Sequence, residues 1–131
     1  MGVLIDTCVL IQAEREPAAL GSRLKAQVRE SAFLSVITAS ELLHGVNLAK
    51  TAAIRLKRSA WVEELLRSYP LLPIDLPVAR VHSELWGELK LAGTMIGAHD
   101  LWIAATCLAY DLVLVSDNQR EFARVPGLKV I

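Results

Sequence analysis

"DLWIAATCLAYDLVLVS", residues 100–116, joins two segments of different character. Asp100–Tyr110 is apolar nearly all round, the composition of a helix buried on every side. Asp111 interrupts the run, and "LVLVS" (112–116) then reads as a short, unbroken buried strand. Such strands belong to parallel sheets covered on both faces. A buried helix feeding straight into a buried strand is half of a β–α–β unit, so "LVLVS" is expected to be central.

Outward from this unit the same alternation recurs. "VLID" (3–6) and "AFLSVI" (32–37) read as buried strands, and "GLKVI" (127–131) as a last short one. "LLPID" (71–75) contains a proline, which cannot donate to a ladder, so it belongs at a sheet edge. Helical spacing runs through 18–30, with Leu20, Leu24 and Val28 on one face. Further helices are expected from Thr38 to about Leu48, then to about Arg67, and from Pro77 to about Leu91, with a glycine-containing loop over 92–99. The sum is an α/β fold, a three-layer sandwich with a mainly parallel central sheet flanked by helices. No repeat or linker divides residues 1–131, so one domain is expected.

The chain is 53% hydrophobic and only 5% aromatic, which excludes disorder. Fourteen Lys and Arg balance fourteen Asp and Glu, so net charge gives no support for nucleic-acid binding; a local basic patch would have to provide it. Cys8 and Cys107 form no metal or redox motif, and a reducing cytoplasm is the expected compartment. No signal peptide is visible. "LWIAATCLAY" is about half the roughly 20 residues that span a bilayer, so no membrane association is expected.

In open parallel sheets, ligands sit beyond the carboxyl ends of the strands. Asp6 ends the first strand, Glu41 lies in the first turn of the helix after the second, and Asp117 follows "LVLVS". Asp100 joins them if its helix starts at that edge, as it should when it ends just before a strand begins at the opposite one. Each has an ordinary alternative. Asp6 or Asp100 could cap a helix. Thr38-Ala39-Ser40-Glu41 fits a capping box. "SDNQ" fits a turn. Together, however, four carboxylates at one edge repel each other unless a cation sits among them. Hard oxygen donors suit Mg²⁺ or Mn²⁺. Such a cluster suits hydrolysis of a phosphodiester by metal-activated water.

"LIDTCVLI", "TASELLHGV" and "AHDLWIAATCLAYDLVLVSDNQREFARVPGLKVI", in that order, resemble a PIN-domain nuclease, and within that family the VapC-type toxins of type II toxin–antitoxin systems. The resemblance covers nearly the whole chain. It implies a PIN-like nuclease domain over 1–131, a metal-dependent endoribonuclease, and Asp6, Glu41 and Asp100 as catalytic metal ligands. The fourth acidic position falls in "SDNQREF": Asp117, with Asn118 the alternative. Ser116 is similar to the family's small hydroxyl residue there. Cys8 departs from the family's frequent Asn, which puts any supporting hydrogen bond from position 8 in question. The resemblance also implies a structured RNA substrate, a tRNA or an rRNA loop, together with a homodimer and a cognate antitoxin.

The remaining candidates have plainer readings. His44 and His82 read as helix or packing residues, while His99 stands beside Asp100 and could meet RNA. Asp75 is expected to cap the helix at Pro77, and Asp111 to sit in a turn at the far edge. Trp61, Trp86 and Trp102 read as packing groups. Arg55, Lys57 and Arg58 form either a solvated face or a phosphate contact. Leu42, Leu43, Val46, Ile54, Trp61, Leu65 and Leu66 exceed what one small sheet covers, which favours a two-fold dimer. Two other functions compete. A phosphotransfer domain with an Asp nucleophile wants a second Asp where Cys8 stands. A non-catalytic RNA-binding module is opposed by the intact Asp6, Glu41 and Asp100.

Overall fold

A computed structural model describes residues 2–25 and 31–131. Among these residues four strands, β1 (Val3–Ile5), β2 (Ala32–Ser35), β3 (Leu71–Leu72) and β4 (Val113–Val115), pair in parallel in the order β3-β2-β1-β4. β1 aligns Val3 with Ala32 on one side and with Val113 on the other. The closing segment adds a parallel bridge between Leu114 and Val130, so "GLKVI" contributes one bridge rather than a full strand, and β4 lies inside the sheet. β3 is the edge, as the proline after it requires.

Among the described residues seven helices flank the sheet: α1 (Thr7–Arg15), α2 (Pro17–Lys25), α3 (Val36–Asn47), α4 (Ala52–Ser68), α5 (Leu76–Ala92), α6 (Ala98–Tyr110) and α7 (Gln119–Phe122). Two apolar clusters occupy the two faces. Leu4 and Leu114 point into one, with Leu89, Ile103, Cys107 and Phe122 from α5, α6 and α7. Val3, Ile5 and Val115 point into the other, with Leu10, Leu42 and Val62 from α1, α3 and α4. This alternation along β1 and β4 is the period-2 geometry of a strand buried on both sides, and it makes the three layers. Val28 of the expected helix over 18–30 lies outside the described residues.

Local chemistry sets the boundaries. Asp75 caps α5, its Oδ1 accepting from the Val78 N–H at 3.1 Å, and Gly93 ends that helix at φ 71°, a conformation that favours glycine. Asp111 closes α6 in the left-handed region at φ 54°. Pro17 opens α2, where its missing N–H costs nothing. The expected boundary at Thr38 is corrected. β2 ends at Ser35, whose hydroxyl accepts from the Ile37 N–H at 3.1 Å, and α3 begins at Val36. Two β-branched residues had extended the strand-like pattern, and the serine cap overrides them. Among the described residues no helix is long and apolar enough to cross a membrane.

Candidate active site

Asp6 is the N-cap of α1 and only 5% exposed. Its Oδ1 accepts from the Thr7 N–H at 2.9 Å. Its Oδ2 accepts from the Ser116 hydroxyl at 2.7 Å and from the Cys8 thiol at 3.3 Å. Burial, and then the charge of Asp6, push the Cys8 thiol up, so it stays protonated and serves as a donor. Position 8 thus keeps a hydrogen bond to Asp6 without an amide.

With α3 starting at Val36, Glu41 lies in its second turn and closes no capping box. Its Oε1 accepts from the Thr7 hydroxyl at 2.9 Å, and the Thr38 hydroxyl lies 3.1 Å from that of Thr7. A threonine hydroxyl has one proton, so Thr38 donates to Thr7 while Thr7 donates to the carboxylate. The Nδ1 of His99 stands 3.6 Å from the other Glu41 oxygen, so protonated His99 would pair with this carboxylate.

Asp100 is the third residue of α6, and the N-cap Gly97 has no side chain to cap with. Burial first, then the charges of Glu121, Asp6 and Glu41, raise the Asp100 carboxyl from 3.8 to about 6. Glu121 behaves oppositely. The Gly97 N–H at 2.7 Å, then the Asn118 amide at 2.9 Å, hold its carboxyl below the usual range. An ionised Glu121 therefore faces an Asp100 that holds its proton up to about pH 6. A Cβ on Gly97 would come within 3.5 Å of Asp100 Oδ2 and 3.6 Å of Glu121 Oε1, so glycine leaves space at this pair.

Asp117 stands elsewhere. It is half exposed and forms an ion pair with Arg23 of α2. It does not figure among the charges acting on Asp100, whereas Glu121 leads them. Glu121 had no role in the sequence reading. It sits in a four-residue helix and looks like a solvated charge. The usable signal was its neighbour: Phe122 is fully buried, which fixes the rotation of α7 and turns Glu121 toward the carboxylates.

Two other expectations change. Arg55 donates to the Asn47 carbonyl at 3.2 Å, and Arg58 to the Gly45 carbonyl at 3.1 Å, with Glu14 at 3.6 Å. These two side chains satisfy open carbonyls at the end of α3, a local role the sequence reading had not weighed. Of the residues argued to form a dimer face, Leu42 and Val46 are buried, and Leu43, Trp61, Leu65 and Leu66 pack against the core. Trp102 stacks on His82 with ring centroids 3.5 Å apart, a packing role as expected.

A PIN domain family model matches residues 3–128. The chain belongs to the PIN-domain family, among the VapC ribonucleases of toxin–antitoxin systems. Ribonuclease VapC1 of Rickettsia felis is 30% identical over 131 residues, covering 100% of this chain and 96% of that protein. The tRNA(fMet)-specific endonuclease VapC of Salmonella typhimurium is 32% identical over 97 residues, 74% of this chain and 71% of its own length. The DNA-bound VapBC structure from Salmonella typhimurium superposes with a TM-score of 0.88 at 28% identity, over 100% of this chain and 97% of that one.

The donor set fits a hard divalent cation: four carboxylates, no imidazole or thiolate required, and a net repulsion that a cation relieves. Among the described residues, no three His, Cys, Asp or Glu side chains converge tightly enough to make a finished cage. Asp6 and Glu41 are each turned toward their own hydroxyl donors. A site of this kind suits Mg²⁺, which keeps several waters and takes few protein ligands.

Proposed function

We propose that Asp6, Glu41, Asp100 and Glu121 hold Mg²⁺ or Mn²⁺, and that this VapC ribonuclease cuts RNA phosphodiester bonds there. One arrangement carries the reading: within a PIN domain, β1's end, α3, α6 and α7 carry Asp6, Glu41, Asp100 and Glu121, and burial with the charges of the other three raises Asp100 to about 6. Glu121 replaces Asp117 as our fourth ligand, because Asp117 is engaged by Arg23. A bound ion would supply a water acidic enough to attack phosphorus and would stabilise the leaving oxygen. The chain's residues prepare for this. Ser116, Thr7 and Cys8 donate to carboxylate oxygens and so fix their orientation. A protonated Cys8 is no nucleophile, which disfavours a covalent route.

The Salmonella relative named for tRNA(fMet) supports a structured RNA substrate, a tRNA or an rRNA loop. The VapBC complexes among the structural relatives support a cognate antitoxin. We place the activity in the cytoplasm, within a single nuclease domain. Treating the protein with EDTA is expected to abolish cleavage of 5′-labelled RNA, and added Mn²⁺ or Mg²⁺ to restore it. Full activity in EDTA would sink the metal assignment.

A two-fold homodimer remains part of the proposal, resting on a smaller surface than the sequence suggested. Leu48 is 80% exposed and Leu56 75%, with Ile54 nearby on α4. Sedimentation at micromolar concentration is expected to show a dimer; a monomer there would remove this element alone.

A further inference from the structure

The Arg23 side chain of α2 makes three contacts that meet at the loop carrying Ser116. Its guanidinium pairs with the Asp117 carboxylate, donates to the Ser116 carbonyl at 3.1 Å, and donates to the main-chain oxygen of Ile131 at 3.2 Å. The same Ile131 oxygen also accepts from the Ser116 N–H at 3.2 Å. The inner side of the same turn faces the carboxylates. The Ser116 hydroxyl donates to Asp6 at 2.7 Å and accepts from the Asn118 N–H at 3.0 Å. The Asn118 side chain donates to Glu121 at 2.9 Å.

We infer that Arg23 is a positioning residue of the carboxylate site, clamping the Ser116–Asn118 turn from outside and thereby fixing Asp6 and Glu121. This rests on the nuclease reading of those carboxylates. Two simpler roles fit less well. As a surface stabiliser, a partly exposed ion pair contributes little to folding, and these side chains are 29% and 50% exposed. As an RNA contact, Arg23 would have to release Asp117 and two main-chain oxygens before meeting a phosphate. The planar fork explains the residue type. It reaches a carboxylate and two main-chain oxygens in one geometry, which the point charge of lysine does not.

Partners that orient metal ligands typically cost about 10–100-fold in metal affinity or activity when removed. Three readouts on the full chain test the inference: amide exchange at the Asn118 N–H without metal or RNA, Mn²⁺ binding by calorimetry, and kcat and KM on 5′-labelled RNA. For Arg23→Ala we expect Asn118 exchange at least about tenfold faster, Mn²⁺ affinity about tenfold weaker, and kcat about tenfold lower, with KM within about twofold. Arg23→Lys should recover part of each, and Asp117→Asn combined with Arg23→Ala should cost less than the sum. A raised KM with unchanged kcat would make Arg23 an RNA contact and overturn the inference. Unchanged exchange and Mn²⁺ binding would overturn it as well. If Arg23→Ala fails to fold, Arg23→Lys and Asp117→Asn carry the same three readouts. If the wild-type protein cuts no RNA under any metal, the nuclease reading fails. Asn118 exchange would still decide whether Arg23 holds the turn.

Discussion

Asp6→Asn and Asp100→Asn are each expected to lower metal-dependent RNA cleavage by at least about a hundredfold, the upper range for losing even an indirect partner of a metal. Both variants should also lose growth inhibition on expression. They should differ in stability, and that difference identifies what Asp100 is for. The Asp6 carboxylate accepts three hydrogen bonds, from the Thr7 N–H, the Ser116 hydroxyl and the Cys8 thiol, so its amide variant loses an acceptor oxygen. Asp100 is instead a burden on the metal-free fold. Its carboxyl rises from 3.8 to about 6, which would correspond to about 3 kcal/mol if fully felt. The group is only half buried, so screening reduces this to about 1 kcal/mol. The sign follows from linkage. Between pH 3.8 and about 6 the folded state holds the proton more tightly than the unfolded chain, so this contribution to stability falls as pH rises through that window. Above about pH 6 the penalty is fully present. Asp100→Asn should therefore raise the thermal midpoint in EDTA at pH 7.5 by a few degrees, and erase that part of the pH dependence. Mg²⁺ should stabilise the wild type more than the variant. A variant that cleaves at the wild-type rate, or melts lower in EDTA, contradicts the assignment.

The layer order was legible because it depends on burial alone. Short apolar runs at β1, β2 and β4 and the all-round apolar α6 have few other places to go. The cap at Asp75 was legible because its side chain acts on its own neighbours, and Asp111 sits in the turn expected of it. The β2–α3 boundary was not, because Val36 and Ile37 fit either element and only the Ser35 hydroxyl decides. Our choice of fourth carboxylate moves from Asp117 to Glu121 for a different reason. Asp117 and Glu121 both lie within a turn and a half of β4, and sequence spacing does not say which faces the cleft. Two long-range facts favour Glu121: Arg23 reaches across from α2 to pair with Asp117, and Phe122, beside Glu121, is buried in the core. The basic run at Arg55 and Arg58 shows the same limit, since its acceptors are carbonyls at the end of the preceding helix.

Inhibition by the antitoxin is expected to be metal-competitive. A cavity of about 200 Å³ lies among α1, α3 and α4, lined by Ile11, Glu14, Leu42, Arg58 and Trp61, with the carboxylate-bearing Glu41 also on its wall. An apolar helix laid against Ile11 and Trp61 would bring its polar edge to Glu41. An Arg or Lys there would meet the carboxylates that raise Asp100, and would supply the positive charge otherwise brought by the ion. Arg is favoured because its fork can take two carboxylate oxygens at once. Such a segment would fold on binding, with its affinity from the apolar helix and its inhibition from the cation. Raising Mg²⁺ at fixed antitoxin should therefore partly restore cleavage. Changing the single Arg to Ala should weaken inhibition more than binding, since the helix contacts remain. Cleavage assays over a Mg²⁺ series, with binding measured in parallel by calorimetry, separate the two quantities. Inhibition that ignores Mg²⁺ and survives loss of every basic side chain in the segment would mean that the antitoxin blocks RNA entry sterically, and the carboxylate cluster would play no part in recognising it.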